Sequence, residues 1–168
     1  MRNQGKKILN KSGSIASRGL TAILDTACGA PDTGQAMSQE NVDRALELLD
    51  AFNRRDLDAF VALADEEIEV ESRLVAMEGG YHGHEGLRTW WRDFLGAFPD
   101  YYNLKVEELR DLGDVTLGHM RGWGHGADSA TPLVDPFWIP MRWRDGPLVW
   151  WRNCSREAEA LEVARLPE

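Results

Sequence analysis

The sequence Val-Thr-Leu-Gly-His-Met-Arg-Gly-Trp-Gly-His-Gly occupies residues 115–126, and two similar runs follow it at 137–144 and 148–154. All three are rich in β-branched and aromatic residues, and Gly, Pro and Asp separate them, which is typical of consecutive antiparallel strands. Asp145-Gly146 joins the last two runs and predicts a hairpin, because both residues tolerate a positive φ. Five of the seven tryptophans lie between residues 115 and 154. Such a sheet needs two apolar environments, helices on one face and a pocket or a partner subunit on the other.

Amphipathic patterns on either side of this region predict the helices. Helical spacing runs from Ser38, the expected N-cap, to Arg54-Arg55, and Asp56 can cap a second helix over 57–64. The third helix carries an apolar stripe of Leu87, Trp90, Trp91, Phe94, Leu95 and Phe98. Strands are expected at 67–72 and 103–111, a loop at 129–136, and a closing helix from Ser155 to about Ala164. The predicted order is α-α-β-α-β-β-β-β-α, an α+β fold with its helices on one side of a curved antiparallel sheet.

Composition limits the possible functions. The net charge is −9, and it divides into +3 for residues 1–36 and −12 for residues 37–168. An acidic domain repels phosphate backbones, so nucleic-acid binding is not expected, and no apolar run is long enough to span a membrane. Cys28 and Cys154 do not suggest a disulfide framework or a zinc site, so a cytoplasmic location is expected.

Two segments of unlike character divide the chain. Residues 1–36 are rich in Gly, Ser and Lys and have no sustained apolar periodicity. They are expected to be a disordered tail or a non-native upstream extension, with an organelle transit peptide as the alternative. Residues 37–168 are predicted to form one domain.

Several motifs together point to a known family. They are the segments 53–59, 67–71, 81–87, 97–100, 109–115 and 155–162, the glycines at 122, 124 and 126, and the Asp145-Gly146 turn. In these motifs the chain resembles SnoaL-like members of the nuclear transport factor 2-like superfamily. The resemblance implies a cone-shaped barrel, in which a strongly bent antiparallel sheet and three helices of the N-terminal half enclose a pocket. It also implies a homodimer, often formed through the outer sheet face.

The family resemblance leaves the activity open. Family members include polyketide cyclases, ketosteroid isomerases, limonene-epoxide hydrolases, dehydratases and proteins without catalysis. The cyclases and isomerases use a carboxylate or a histidine in the pocket as acid or base. No inward strand carboxylate is evident here, and Pro147-Leu148 and Arg165 also depart from the family pattern.

The candidate catalytic residues lie on the 115–126 strand and just after it. His119 and Arg121 share one strand face with Val115, Leu117 and Trp123. If that face lines the pocket, His119 could act as acid/base and Arg121 as the clamp for a developing oxyanion. Otherwise the pair faces solvent or a partner subunit and binds surplus carboxylates. The loop residues Asp128 and Asp135 are further candidates.

The predicted pocket is aromatic and free of metal. Its expected wall residues are Asn53, Tyr81, Trp91, Phe94, Trp123, Trp138 and Trp150. His82 and His84 lack a third ligand at a suitable spacing, so no metal site is expected. Gly122, Gly124 and Gly126 are interpreted as sites of bending or close backbone approach rather than as a phosphate loop. No cofactor is expected.

Two functional hypotheses follow. In the first, the protein is an enzyme that transfers protons on a hydrophobic carbonyl compound, such as a polyketide or steroid-like molecule, in a cyclisation, isomerisation or dehydration. In the second, it is a non-catalytic module for ligand binding or dimerisation. The absence of an evident strand carboxylate favours the second, and the clustered His, Arg and Trp favour the first.

Overall fold

The computed structural model describes residues 33–75, 80–129 and 131–165. In these ranges the chain forms α1 (Thr33–Asn53), α2 (Leu57–Ala62), β1 (Ala64–Glu71), β2 (Tyr81–His82), α3 (Gly83–Ala97), β3 (Tyr102–Asp111), β4 (Val115–His125), β5 (Pro132–Trp143), β6 (Leu148–Arg152) and α4 (Glu157–Ala164). Apart from the short strand β2, this is the predicted order. Residues 1–32 of the predicted N-terminal extension lie outside the described residues. Helix α1 begins at Thr33, so the prediction of Ser38 as its N-cap is wrong.

The described strands form one curved, unclosed sheet in the order β2-β1-β6-β5-β4-β3. The α+β class is confirmed. The sheet is mixed rather than wholly antiparallel, because β1 and β6 run parallel. Parallel neighbours need a long crossover connection, and here α3 and strands β3 to β5 lie between the two in the chain.

Two local predictions about turns and caps are confirmed. Asp145 and Gly146 have φ values of +53° and +114°, as a tight hairpin requires. The side chain of Asp56 caps α2 by accepting a 3.0 Å hydrogen bond from the backbone N–H of Ala59.

The predicted loop at 129–136 is wrong, because most of it belongs to β5, which begins at Pro132. Pro132 and Pro136 are residue types that favour loops, yet both lie within the strand opposite β4. As a result Asp135 is a strand residue, paired in register with Gly122. It shares its strand face with Phe137 and Ile139, which are buried in the main core.

The two faces of the sheet have different coverings. The inner face packs against α1, α2 and α3 and holds the main core, which includes Phe52, Phe60, Trp90 and Trp151. On the outer face α4 covers a smaller apolar cluster of Leu117, Cys154 and Ala160. The prediction that all helices lie on one side is therefore corrected for α4.

Candidate functional site

A cavity lies between the inner sheet face and helices α1 to α3. The cavity has a volume of about 60 Å³. Together with the space that opens to solvent at its mouth, the empty volume is about 590 Å³. The apolar wall is formed by Leu48, Leu49, Phe52, Phe60, Leu74, Trp90, Phe94, Leu104, Phe137, Ile139, Met141 and Trp151. The polar wall residues are Ser72, Arg73, Tyr101, Asp135 and Asn153. A wall of this kind suits a compact apolar ligand with one polar end.

The polar end is organised around the carboxylate of Asp135. Asp135 is 5% exposed, and Oδ1 forms an ion pair with Nη2 of Arg73. A carboxylate in an apolar wall is costly unless it is paired and hydrogen-bonded, so Arg73 is what permits its burial. The Arg73 side chain is 31% exposed, so the cationic partner of the ion pair keeps contact with solvent. Asp135 is therefore a charged group that faces a hydrophobic cavity.

Tyr101 is the second polar group at this carboxylate. Its hydroxyl donates to Oδ2 of Asp135 across 3.5 Å, a long hydrogen bond. Burial, and then the negative charge of Asp135, raise the pKa of Tyr101 well above its ordinary value. The edges of Phe94 and Phe52 hold the ring, with centroid distances of 5.0 and 6.4 Å. The hydroxyl thus stays protonated at neutral pH and can donate to an oxygen.

His119 and Arg121 lie on the outer face, so the second of the two predicted orientations is the correct one. The His119 ring stacks on Trp138 with centroids 4.4 Å apart, and its Nδ1 is 3.5 Å from a carboxylate oxygen of Glu107. Arg121 pairs with the same carboxylate at 3.1 Å. Strand alternation places Met120 on the inner face instead. The predicted catalytic pair therefore has no direct access to the cavity.

The other predicted site residues divide between the two faces. Phe94 lines the cavity, but Trp91 and Tyr81 are buried outside its wall, where Trp90 lies instead. Trp123, paired with Val134, and Trp138, paired with His119, point outward, as does Trp150, whose indole N–H donates to Glu71 at 3.2 Å. Asp128 is exposed after the end of β4. Strand alternation gives only relative orientation, which explains the errors at the three strand tryptophans.

Asn53 has a structural role instead of a place in the cavity wall. Its side-chain amide donates to the carbonyl of Leu104 at 3.0 Å and accepts from the backbone N–H of the same residue at 2.8 Å. The amide thus makes the two backbone hydrogen bonds with Leu104 that a neighbouring strand would otherwise make. It links the edge strand β3 to α1. The prediction of Asn53 as a pocket residue is corrected accordingly.

Arg73 and Tyr101 were not predicted as site residues, and Asp135 was named only as a loop candidate, without its place on the inner face of β5. The signal for Asp135 was present, because it alternates with Phe137, Ile139 and Met141 and so shares their face. Arg73 lies just beyond β1 and Tyr101 just before β3, where no periodicity predicts the side-chain direction. Only the tertiary structure brings these two residues to Asp135.

Metal-binding clusters and membrane-spanning helices are both absent from the described residues. No group of three or more His, Cys, Asp or Glu is arranged to hold a metal ion there. Within the same ranges, no helix is long and apolar enough to cross a membrane.

The family model of the SnoaL-like domain matches residues 45–151. The chain belongs to this family. The SnoaL-like match covers the cavity wall from Leu48 to Trp151, including all three residues of the polar cluster. Comparison with curated proteins found no match.

Solved structures show the same fold at low sequence identity. An NTF2-like protein of unknown function from Burkholderia pseudomallei aligns with a TM-score of 0.63 and 16% identity, over 76% of this chain and 98% of that one. A candidate SnoaL-like polyketide cyclase from Jannaschia sp. CCS1 aligns with a TM-score of 0.61 and 17% identity, over 77% of this chain and 94% of that one. A protein with a ketosteroid isomerase-like fold from Catenulispora acidiphila, in complex with trimethylamine, aligns with a TM-score of 0.60 and 14% identity, over 74% of this chain and 93% of that one. At these identities the likeness establishes the fold alone.

Because the pKa of Tyr101 is raised, the free energy of unfolding should fall as the pH rises in the alkaline range. An unfolded tyrosine loses its proton near pH 10, whereas buried Tyr101 keeps it to higher pH. Its contribution is therefore complete below about pH 10 and is lost as the pH rises further. We expect the wild type to lose stability more steeply than Tyr101→Phe above pH 10, by up to about 1.4 kcal/mol per pH unit. Urea unfolding from pH 8 to 11 measures this, and equal slopes would contradict the assignment.

Proposed function

We propose that this SnoaL-like domain is a cytoplasmic acid–base enzyme that moves protons on a compact hydrophobic carbonyl compound in the inner cavity. The observation that carries the proposal is the buried carboxylate of Asp135 at one end of an aromatic wall, between a guanidinium and a phenol. The buried free thiol of Cys154 supports a reducing compartment.

Each polar group has a role that its chemistry permits. Asp135 takes a proton from the carbon next to the carbonyl group, and the electron pair of that C–H bond moves to the carbonyl oxygen. Arg73 donates a hydrogen bond to the enolate oxygen formed in this step, and the single O–H of Tyr101 turns from Asp135 to donate to the same oxygen. Asp135 then returns the proton to another carbon in an isomerisation. In a cyclisation the enolate carbon attacks a second carbonyl carbon, and Asp135 gives its proton to the alkoxide that forms. In a dehydration the enolate expels a hydroxyl group, which the proton from Asp135 converts to water.

The environment supports this division of roles. The aromatic wall holds a flat apolar body and keeps water away, which strengthens every electrostatic interaction at the polar end. The Arg73 guanidinium donates to Asp135 through Nη2, and its other N–H groups can donate to a ligand oxygen while that ion pair stays in place. The limited free space favours ligands of one or two rings over large polyketides.

The proposal can be tested with 2-tetralone, a flat ketone with exchangeable protons next to its carbonyl group. We expect the wild type to accelerate hydrogen–deuterium exchange at these positions, followed by NMR in D₂O. Asp135→Asn should reduce the acceleration by about 10²-fold or more, because it removes the base and nearly preserves the shape. Its affinity for 2-naphthol, a flat analogue of the enol, should remain measurable.

Two variants serve as matched controls. Asp128→Asn removes an exposed carboxylate, and His119→Ala removes the outer-face histidine, so neither should change the exchange rate. Undiminished exchange by Asp135→Asn, or loss of exchange in His119→Ala, would reject Asp135 as the base.

The second candidate function is ligand binding without turnover. It is favoured by the resting ion pair, in which Asp135 is already occupied by Arg73. The trimethylamine complex of the Catenulispora acidiphila protein supports small-ligand binding in this fold without implying catalysis. Binding of 2-naphthol by a protein that leaves 2-tetralone exchange at the uncatalysed rate would select this alternative.

We also propose that the chain forms a homodimer through the part of the outer face that α4 leaves open. A groove of about 500 Å³ lies there, with Asp65, Glu67, Glu69 and Glu71 of β1 on one side and Arg142 and Arg144 on the other, while Arg152 pairs with Glu71 at 3.4 Å within the chain. A two-fold axis along such a groove brings the carboxylates of one copy opposite the guanidinium groups of its partner.

Sedimentation equilibrium tests the dimer. We expect a mass twice that of the chain, and a shift toward monomer when Glu69 and Glu71 are both changed to Lys, because like charges would then face each other. The same pair of changes at Glu40 and Glu47, on α1, should leave the mass unchanged. A monomeric wild type would contradict the proposal.

A further inference from the structure

The glycines of β4 have no role in the chemistry proposed above, yet two of them contact Tyr101. Gly122 is paired in register with Asp135, and Gly124 follows on the same inner face. A Cβ atom placed on Gly122 would lie 1.8 Å from Oη and 2.0 Å from Cζ of Tyr101. A Cβ atom on Gly124 would lie 2.7 Å from Cα of the same residue. The phenol ring therefore occupies the space that a side chain at position 122 would fill.

Tyr101 cannot move away from β4 to avoid such a side chain. Its backbone carbonyl accepts from the Arg55 guanidinium, and its backbone N–H donates to the carbonyl of Phe98 at 3.1 Å. Phe94 and Phe98 contact the ring, with centroids at 5.0 and 6.3 Å. With the backbone and the ring both held, the path of the side chain over Gly122 decides where the hydroxyl lies.

We propose that Gly122 is a positioning residue of this site, which keeps the inner face of β4 clear so that the Tyr101 hydroxyl reaches Asp135. The catalytic meaning of this role rests on the proposed function, but the geometry itself does not. Any side chain at position 122 displaces the phenol and leaves Asp135 with Arg73 as its partner among the described residues. Gly124 has a different role, since it makes room for the backbone of Tyr101.

This difference supplies a test in the free protein. Tyr101→Leu keeps apolar bulk but removes Oη, Cζ and Cε1, the atoms nearest to a Cβ on Gly122. Gly122→Ala should lower the melting temperature by roughly 5 °C or more in the wild-type background and by less than about 2 °C in the Tyr101→Leu background. Gly124→Ala should cost the same in both backgrounds, because its clash is with backbone. If Gly122→Ala does not fold alone, recovery of folding in the Tyr101→Leu background is the expected result.

A second readout follows the hydroxyl directly. In protein labelled with ¹³Cζ-tyrosine, the resonance that disappears in Tyr101→Phe is that of Tyr101. Gly122→Ala should shift this resonance, and Gly126→Ala should leave it unchanged. Gly126→Ala is the matched control, because a Cβ atom on Gly126 would lie 3.6 Å from its nearest atom, an ordinary van der Waals distance. Gly122→Ala and Tyr101→Phe should each weaken 2-naphthol binding by about 10-fold, as expected for one lost hydrogen bond.

Either of two results would overturn the inference. One is an equal cost of Gly122→Ala in the wild-type and Tyr101→Leu backgrounds. The other is an unshifted Tyr101 resonance in folded Gly122→Ala. The melting and NMR measurements need neither ligand nor turnover, so a failure of the 2-tetralone test would not affect them.

Discussion

The burial of one carboxylate governs the arrangement of this domain's interior. Asp135 lies on the inner face of β5 in a wall that is otherwise mainly aromatic and aliphatic. A lone carboxylate there would cost several kcal/mol. Arg73 and Tyr101 together stabilise it, and each comes from a different connection of the fold. The residues that make the burial possible are also those that could stabilise negative charge on a ligand oxygen.

The distribution of tryptophans between the two faces separates the cavity from the outer surface. Trp90 and Trp151 lie in the cavity wall, whereas Trp138 and Trp150 belong to charged networks on the outside. Guanidinium groups lie 5.0 Å from the ring of Trp138 and 5.2 Å from that of Trp150. Such contacts stabilise exposed aromatics without needing a ligand. Clustering of Trp, His and Arg in the sequence was therefore a poor indicator of the cavity.

The sequence predicted the fold much better than the site. Helical stripes, the Asp56 cap and the Asp145-Gly146 turn are local features, so the order of elements and the family could be recognised from them. The choice of inner face is not local, because alternation gives only relative orientation, and both orientations of His119 stayed open for that reason. The predicted loop at 129–136 had a second consequence. Because β5 was expected to begin after Asp135, this residue was not recognised as sharing a strand face with the buried Phe137 and Ile139.

The most direct test of the account is the location of a bound ligand relative to the two sheet faces. In ¹⁵N-labelled protein, the seven indole N–H resonances can be assigned by single Trp→Phe substitutions and followed during titration with 2-naphthol. Binding in the inner cavity should shift the resonances of Trp90 and Trp151 and leave those of Trp138 and Trp150 in place. Shifts confined to Trp138 and Trp150 would place the ligand on the outer face and contradict the assignment of Asp135 as the functional carboxylate.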